Sequence, residues 1–255
     1  MLATITLPNN STVKINLAQP IDISMPLVSG NNRAKAWYVD DIAISPVIAN
    51  GFVGDVNLGG NVNFRNISFN PHGNGTHTEC VGHISKEFYS INEVLVQTHH
   101  LAQLVSITPQ IMNNGDSVLT ATQLAAALHT INPKYAPTAL VLRTLPNTDA
   151  KLHCNYANTN ATYIAVECVE LLHKRGIQHL LLDLPSVDKE VDNGVLATHH
   201  AFWNYPAHPN ANTITEMIYV PSQITDGAYI LNIMIAPFHN DATPSKPILY
   251  KLIAE

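Results

Sequence analysis

His72-Gly73-Asn74-Gly75-Thr76-His77-Thr78-Glu79-Cys80-Val81-Gly82-His83 places three histidines and a carboxylate within twelve residues, with three glycines among them. In an extended strand side chains alternate between faces, so His77, Glu79, Val81 and His83 share one face. Alternate residues lie roughly 6.6 Å apart along a strand. An imidazole and a carboxylate at that spacing converge on one cation whose N and O ligands sit at roughly 2.0–2.2 Å. His83 is too far along a straight strand to join them, and Gly82 allows a bend. His72 lies upstream across Gly73-Asn74-Gly75, a turn-forming run that folds its imidazole back toward His77. On a helix, positions 77 and 83 would face different sides, so a strand followed by a loop fits the pattern better. Cys80 points to the opposite face, away from any shared ligand.

This stretch resembles the signature of the cyclase-like metal hydrolases, H-x-G-T-H-x-D-x-P-x-H. That family includes bacterial kynurenine formamidase, isatin hydrolase and certain polyketide cyclases. Gly75-Thr76-His77 and His83 match in register. Glu79 stands where the family has Asp, Val81 where it has Pro, and His72 is one residue further from Gly75. The resemblance runs from about residue 21 to about residue 244. Ile21-Asp22-Ile23-Ser24 with Pro26-Leu27 is similar to the opening D-x-S…P-L strand, and Val141-Leu142-Arg143-Thr144 to V-L-x-R-T. Asp183-Leu184-Pro185-Ser186-Val187-Asp188 is similar to D-x-P-S-x-D. His199-His200-Ala201-Phe202-Trp203 is similar to H-x-x-L-L, with Glu216 in the following I-x-E, and Pro237 to Pro244 to P-L…D-G-S-P.

The resemblance implies an α/β protein, the mixed-sheet swivelling β/β/α fold of the kynurenine formamidase type, as a single domain over residues 1–255. It implies a first metal on His72, His77 and Glu79. His83, His199 and Glu216 then surround a second metal, or serve a mononuclear centre as base and outer support. By register His199 matches the family's histidine, with His200 the adjacent alternative. Zn²⁺ and Mn²⁺ both suit a His/His/carboxylate set with open positions. His83 is the expected general base, because an unperturbed imidazole titrates near roughly 6.5. Glu216 lies within an apolar strand, where a carboxylate needs a partner, and a metal or a metal-bound histidine supplies one. Trp37, Tyr38 and Trp203 are expected against an aromatic or apolar substrate. The implied activity is arylformamidase-like hydrolysis of a C–N bond in an amide, formamide or lactam. A cyclase or dehydratase acting on a carbonyl substrate, or a non-catalytic binding protein with a degenerate site, are the alternatives. The expected partners are a small-molecule substrate and further copies of the chain, in a homo-oligomer.

Composition narrows the rest. A net charge of −6 with no basic cluster argues against nucleic acid. No run of eighteen apolar residues exists to cross a membrane. The start lacks a basic segment followed by an apolar core, and the three scattered cysteines suit a reducing compartment, so a cytoplasmic location is expected. Glycine elbows, phosphate loops, H-E-x-x-H and dinucleotide fingerprints are absent from the sequence.

Local patterns place the elements. Thr120-Ala121-Thr122-Gln123 reads as a capping box opening a helix to about His129. Ala139 to Leu142 is a continuous apolar run, a strand covered on both faces. Ile164, Cys168, Leu171 and Leu172 predict a helix over 160–174, stopped by Gly176. Ile177 to Leu182 follows as a buried strand, and such helix-then-strand units imply an α/β protein. Ile91–Val96 and Leu101–Ile107 read as strands with His99 and His100 at a surface turn. Asp183 orients the site or forms a turn, and Val187-Asp188-Lys189-Glu190 reads as a solvated charge run. His208 and His239 are expected to be incidental.

Overall fold

A computed structural model describes residues 1–30, 32–132 and 134–253. Seven strands close into a mixed ring. Its order is Ala242–Ile253, Gly227–Ile235, His99–Ile107, Ala139–Thr144, His179–Leu182, Thr213–Glu216 and His77–Glu79, and the last pairs back onto Ala242–Pro244. The middle four run parallel, as their crossover helices require, and the others pair antiparallel. This is the mixed-sheet α/β architecture that the motifs predict.

The apolar run at 139–142 explains why the ring holds. Leu140 and Leu142 face outward onto Leu124, Leu128, Leu172, Phe202 and Trp203. Ala139 and Val141 face the interior with Leu104, Leu181, Leu231 and Leu249. A strand buried on both faces has no polar alternation to show. Helix α1 is the single turn Ile91–Val94, in place of the expected strand; it follows Ser90, and its buried Ile91 plugs the ring interior. Helix α2, Ala121–His129, opens at Thr120 with the capping box formed.

Helix α3 covers only Cys168–Lys174, shorter than the expected 160–174. Residues Tyr163–Ile164 pair in parallel with Val118–Leu119 instead. Ile164 and Cys168 are four apart, a helical spacing, but both are buried for different reasons, one from a strand and one from the helix start. Helix α4 is Ala197–Trp203. His100, expected at a surface turn, lies in the strand His99–Ile107 and is buried. Its ring centroid is 3.8 Å from that of His179. No helix among the described residues is long and apolar enough to cross a membrane.

Candidate metal centre

Local chain geometry builds the centre from the signature outward. Gly75 adopts φ of 101°, left-handed backbone that only glycine takes freely. Thr76 follows, buried, with its hydroxyl accepting from the Met25 amide and donating to the Met217 carbonyl. That hydroxyl ties the turn to two separate segments and sets the start of strand His77–Glu79. The register of the next strand then places Glu216 directly opposite His77. The chain leaves the strand at Glu79 and makes a 3₁₀ turn over Val81–His83, which carries His83 back over the strand end. Gly82 serves this turn by absence of bulk rather than by a special φ. A Cβ there would lie 2.5 Å from the Tyr89 carbonyl oxygen.

The buried members converge. His77, Glu79, Glu216 and His199 are 0%, 1%, 3% and 2% exposed. His77 Nδ1–H donates to the Gly75 carbonyl at 3.0 Å, which leaves the lone pair on Nε2. That Nε2 is buried with no hydrogen-bond partner among the described residues, 3.5 Å from Glu216 Oε2 and 3.9 Å from Glu79 Oε2. His199 Nδ1–H donates to Asp188 at 2.7 Å, and its Nε2 faces Glu79 Oε1 at 3.2 Å and Glu216 Oε1 at 3.9 Å. His72 Nδ1 lies 3.0 Å from Glu79 Oε2 and its Nε2 2.8 Å from Asp241 Oδ2. His83 Nδ1 is 3.9 Å from Glu79 and 3.8 Å from Asp241, beyond hydrogen-bond reach.

These residues fit a divalent cation. Tetrahedral ligands at about 2.1 Å from a cation stand roughly 3.4 Å apart, and the inner separations above bracket that value. An orphaned imidazole lone pair buried between two carboxylates is costly unless something positive shares it. His72, His77 and Glu79 offer ligand atoms within 4.8 Å of one another, as do Glu79, His83 and His199, and His72, His83 and Asp241.

Electrostatics point the same way. Burial opposes charge on His72 and His199. The carboxylates of Asp241 and Glu79 nevertheless raise His72 to about 10, and those of Asp188 and Glu79 raise His199 to about 10. Burial would likewise favour a neutral Glu79, but His83, His199 and His72 hold it well below the usual carboxylate range. The carboxylates thus demand positive charge, which the imidazoles supply as protons and a cation would supply more compactly.

A cavity of about 210 Å³ opens above the centre. His72, His83, His199 and Glu216 line it, with Trp37, Ser186, Lys189 and Leu196 in the walls. Trp37 and Tyr38 have consecutive left-handed φ values of 63° and 62°, a conformation costing on the order of 1 kcal/mol or more for each such residue. The turn delivers Trp37 to the wall. Tyr38 stays largely exposed, its hydroxyl donating to Glu190 at 3.0 Å. Trp203 departs from expectation. It is 0% exposed, with its ring centroid 5.2 Å from His199 on the core side, so it backs that imidazole and has no surface to offer a substrate. A larger cavity of about 690 Å³, lined by Ile111, Met112, Val166 and Val195, lies behind Asp188 and touches none of the histidines.

His200 turns away from the centre, its Nδ1 donating to the Tyr205 carbonyl at 3.1 Å. Asp188 is the largest departure from the sequence reading. The expected charge run is partly buried, and Asp188 also accepts the Thr198 and His199 amides at 2.8 and 3.1 Å. Its signal in the sequence is the closing D of D-x-P-S-x-D. Asp183 plays a different part, accepting the Thr144 amide at 2.9 Å and the Lys151 ammonium at 2.7 Å and so clamping strand ends. Asp241 is a further site residue that the signature stretch does not announce. Its one signal is that it occupies the D of the D-G-S-P-like loop.

Comparison with known proteins agrees with this architecture. A family model described as "Putative cyclase" matches residues 15–189. Solved structures of similar fold include a potential metal-dependent hydrolase with cyclase activity, at TM-score 0.63 and 13% identity, covering 91% of this chain and 97% of that one. Isatin hydrolase A from Ralstonia solanacearum has TM-score 0.63 at 14% identity, covering 91% of each chain. An isatin hydrolase bound to the product analogue thioisatinate has TM-score 0.63 at 14% identity, covering 92% and 93%. Among curated proteins no sequence matches significantly. With the family model spanning more than half of its residues, and the signature histidines gathered on one side of the ring, this chain belongs to the cyclase family.

Proposed function

We propose that the protein is a metal-dependent hydrolase that cleaves a C–N bond of a small amide, formamide or lactam. The observation that carries this is the His77 Nε2 lone pair, buried between Glu79 and Glu216 with no hydrogen-bond partner among the described residues. His72, His77 and Glu79, with His199 and Glu216, would hold the cation, Zn²⁺ or Mn²⁺. When bound, it supplies Lewis acidity toward the substrate carbonyl and toward water.

The chain's own residues supply the rest. His83, 30% exposed in its side chain and beyond hydrogen-bond reach of Glu79 and Asp241, is free to take the proton of the attacking water. As the water oxygen bonds to the carbonyl carbon, that proton rests on the imidazole. It then passes to the departing nitrogen as the C–N bond breaks. Trp37 offers an apolar wall to a flat substrate, and about 210 Å³ suits a small one. Three structural neighbours are named isatin hydrolases, after a cyclic amide, which supports the bond type.

The test is a metal-resolved activity screen over formamides, lactams and lactones with His77→Ala as control. Turnover of a lactam or formamide that depends on added metal and vanishes in the control supports the reading. Failure on every C–N substrate sinks it. The neighbour with cyclase activity keeps a second reading open, in which the same centre activates a carbonyl for ring closure or dehydration. Activity confined to β-keto chains would favour that one. Unpaired Cys80, Cys154 and Cys168 support the cytoplasm as the proposed location.

A further inference from the structure

We infer that Asp241 is the positioning residue for His72, fixing which imidazole nitrogen faces the cation. This rests on the metal-centre reading above and adds to it a residue from a distant loop. His72 is the ligand that most needs such a partner. It comes from a loop rather than a strand, its side chain is 21% exposed, and it precedes the Gly73-Asn74-Gly75 turn. The other two inward-facing imidazoles are held from outside, His77 by the Gly75 carbonyl and His199 by Asp188. Asp241 Oδ2, 2.8 Å from His72 Nε2, completes the pattern. A proton on Nε2 directed at Asp241 leaves Nδ1 facing Glu79 Oε2 at 3.0 Å.

Asp241 is itself rigidly placed. It immediately precedes Ala242, which pairs in register with Glu79. Its carbonyl accepts the Cys80 amide at 3.1 Å, and the neighbouring Asn240 carbonyl accepts the Ile91 amide at 2.8 Å. Gly82 allows the loop to approach: a Cβ there would stand 3.0 Å from the Asp241 Cβ. The carboxylate that orients His72 and the carboxylate that shares its cation are therefore set by one strand pairing.

The experiment uses the full chain, ¹⁵N-labelled at histidine, as wild type, Asp241→Ala and Asp241→Asn. Zn²⁺ affinity and stoichiometry are read by competition with a chelating dye. The His72 tautomer is read in the Zn²⁺-loaded protein from long-range imidazole ¹H–¹⁵N spectra. For Asp241→Ala, affinity is expected to fall about 10–100-fold with stoichiometry unchanged, and the single Nε2–H tautomer is expected to be lost. Asp241→Asn, which keeps an acceptor oxygen, is expected to recover most of the affinity and the tautomer. Circular dichroism of the metal-free variants separates this from unfolding. Wild-type affinity and an unchanged tautomer in Asp241→Ala would overturn this inference alone. So would loss of one bound ion in both variants, which would make Asp241 a ligand. A wild-type chain that takes up no ion overturns the centre and this inference together.

Discussion

His77 and Glu216 face each other as a registered pair across two antiparallel strands, with His77 Nε2 3.5 Å from Glu216 Oε2. Strand pairing rather than loop conformation brings them together, so the separation is held by the backbone ladder on both sides. The pair is preorganised for a cation, since nothing has to fold for it to bind.

Adding Zn²⁺ or Mn²⁺ to metal-free protein is therefore expected to raise its melting temperature. A ligand at 100 times its Kd stabilises the folded state by about 2.7 kcal/mol. His77→Ala is expected to abolish that rise, while the metal-free variant keeps its fold. Differential scanning calorimetry with and without metal checks this. An equal rise in His77→Ala would place the bound ion elsewhere.

The centre is partly legible in the sequence because its densest part is local. His72, His77, Glu79 and His83 lie within twelve residues. The outer supports are harder to read. Asp188 sits beside Lys189 and Glu190 and looks like solvated charge, yet it is folded under α4 because it caps that helix and holds His199. Asp241 is 169 residues from His72, and no local period connects them. The overlong helix expected at 160–174 has a similar cause, since spacing alone cannot separate a buried strand from a buried helix when a turn falls between them.

Asp188→Asn separates support from ligation. It is expected to remain folded and to keep most of its affinity for the cation, because the amide oxygen still accepts from His199 Nδ1, whereas Asp188→Ala is expected to lose about 10–100-fold. Asp188→Ala is expected to cost about 2 kcal/mol in stability as well, since two buried amides at the start of α4 lose their acceptor. Urea denaturation and a chelator competition measure the two effects separately. Unchanged metal affinity in both variants would assign Asp188 to the helix alone.

Stability toward acid is expected to depend on a site far from the centre. His179 packs on His100 and shares a hydrogen bond with Thr213 Oγ1 at 2.8 Å. Burial, with His100 adding to it, pushes His179 down to about 3 from an ordinary 6.5. The unfolded chain then binds the proton that the folded chain refuses. The contribution is complete above pH 6.5 and is lost as the pH falls through that window toward 3. Urea midpoints from pH 7 to pH 4 are expected to fall more steeply for wild type than for His179→Gln. Parallel slopes would show that this imidazole does not control the acid response.

The Glu79 side chain offers the sharpest comparison, because the signature that this stretch resembles has the shorter aspartate in its place. Its two oxygens reach His72 Nδ1 at 3.0 Å and His199 Nε2 at 3.2 Å, from a backbone fixed by pairing on both sides. Glu79→Asp withdraws the carboxylate by about 1.5 Å, one C–C bond. The backbone cannot follow, since Ile214 and Ala242 hold residue 79 in register. The shorter acid is therefore expected to weaken cation binding by tenfold or more, whereas Glu79→Gln, which keeps the reach and loses the charge, separates length from electrostatics. Tighter binding in Glu79→Asp would mean that the extra methylene is a burden on this centre and that His72 and His199 can close around the shorter residue.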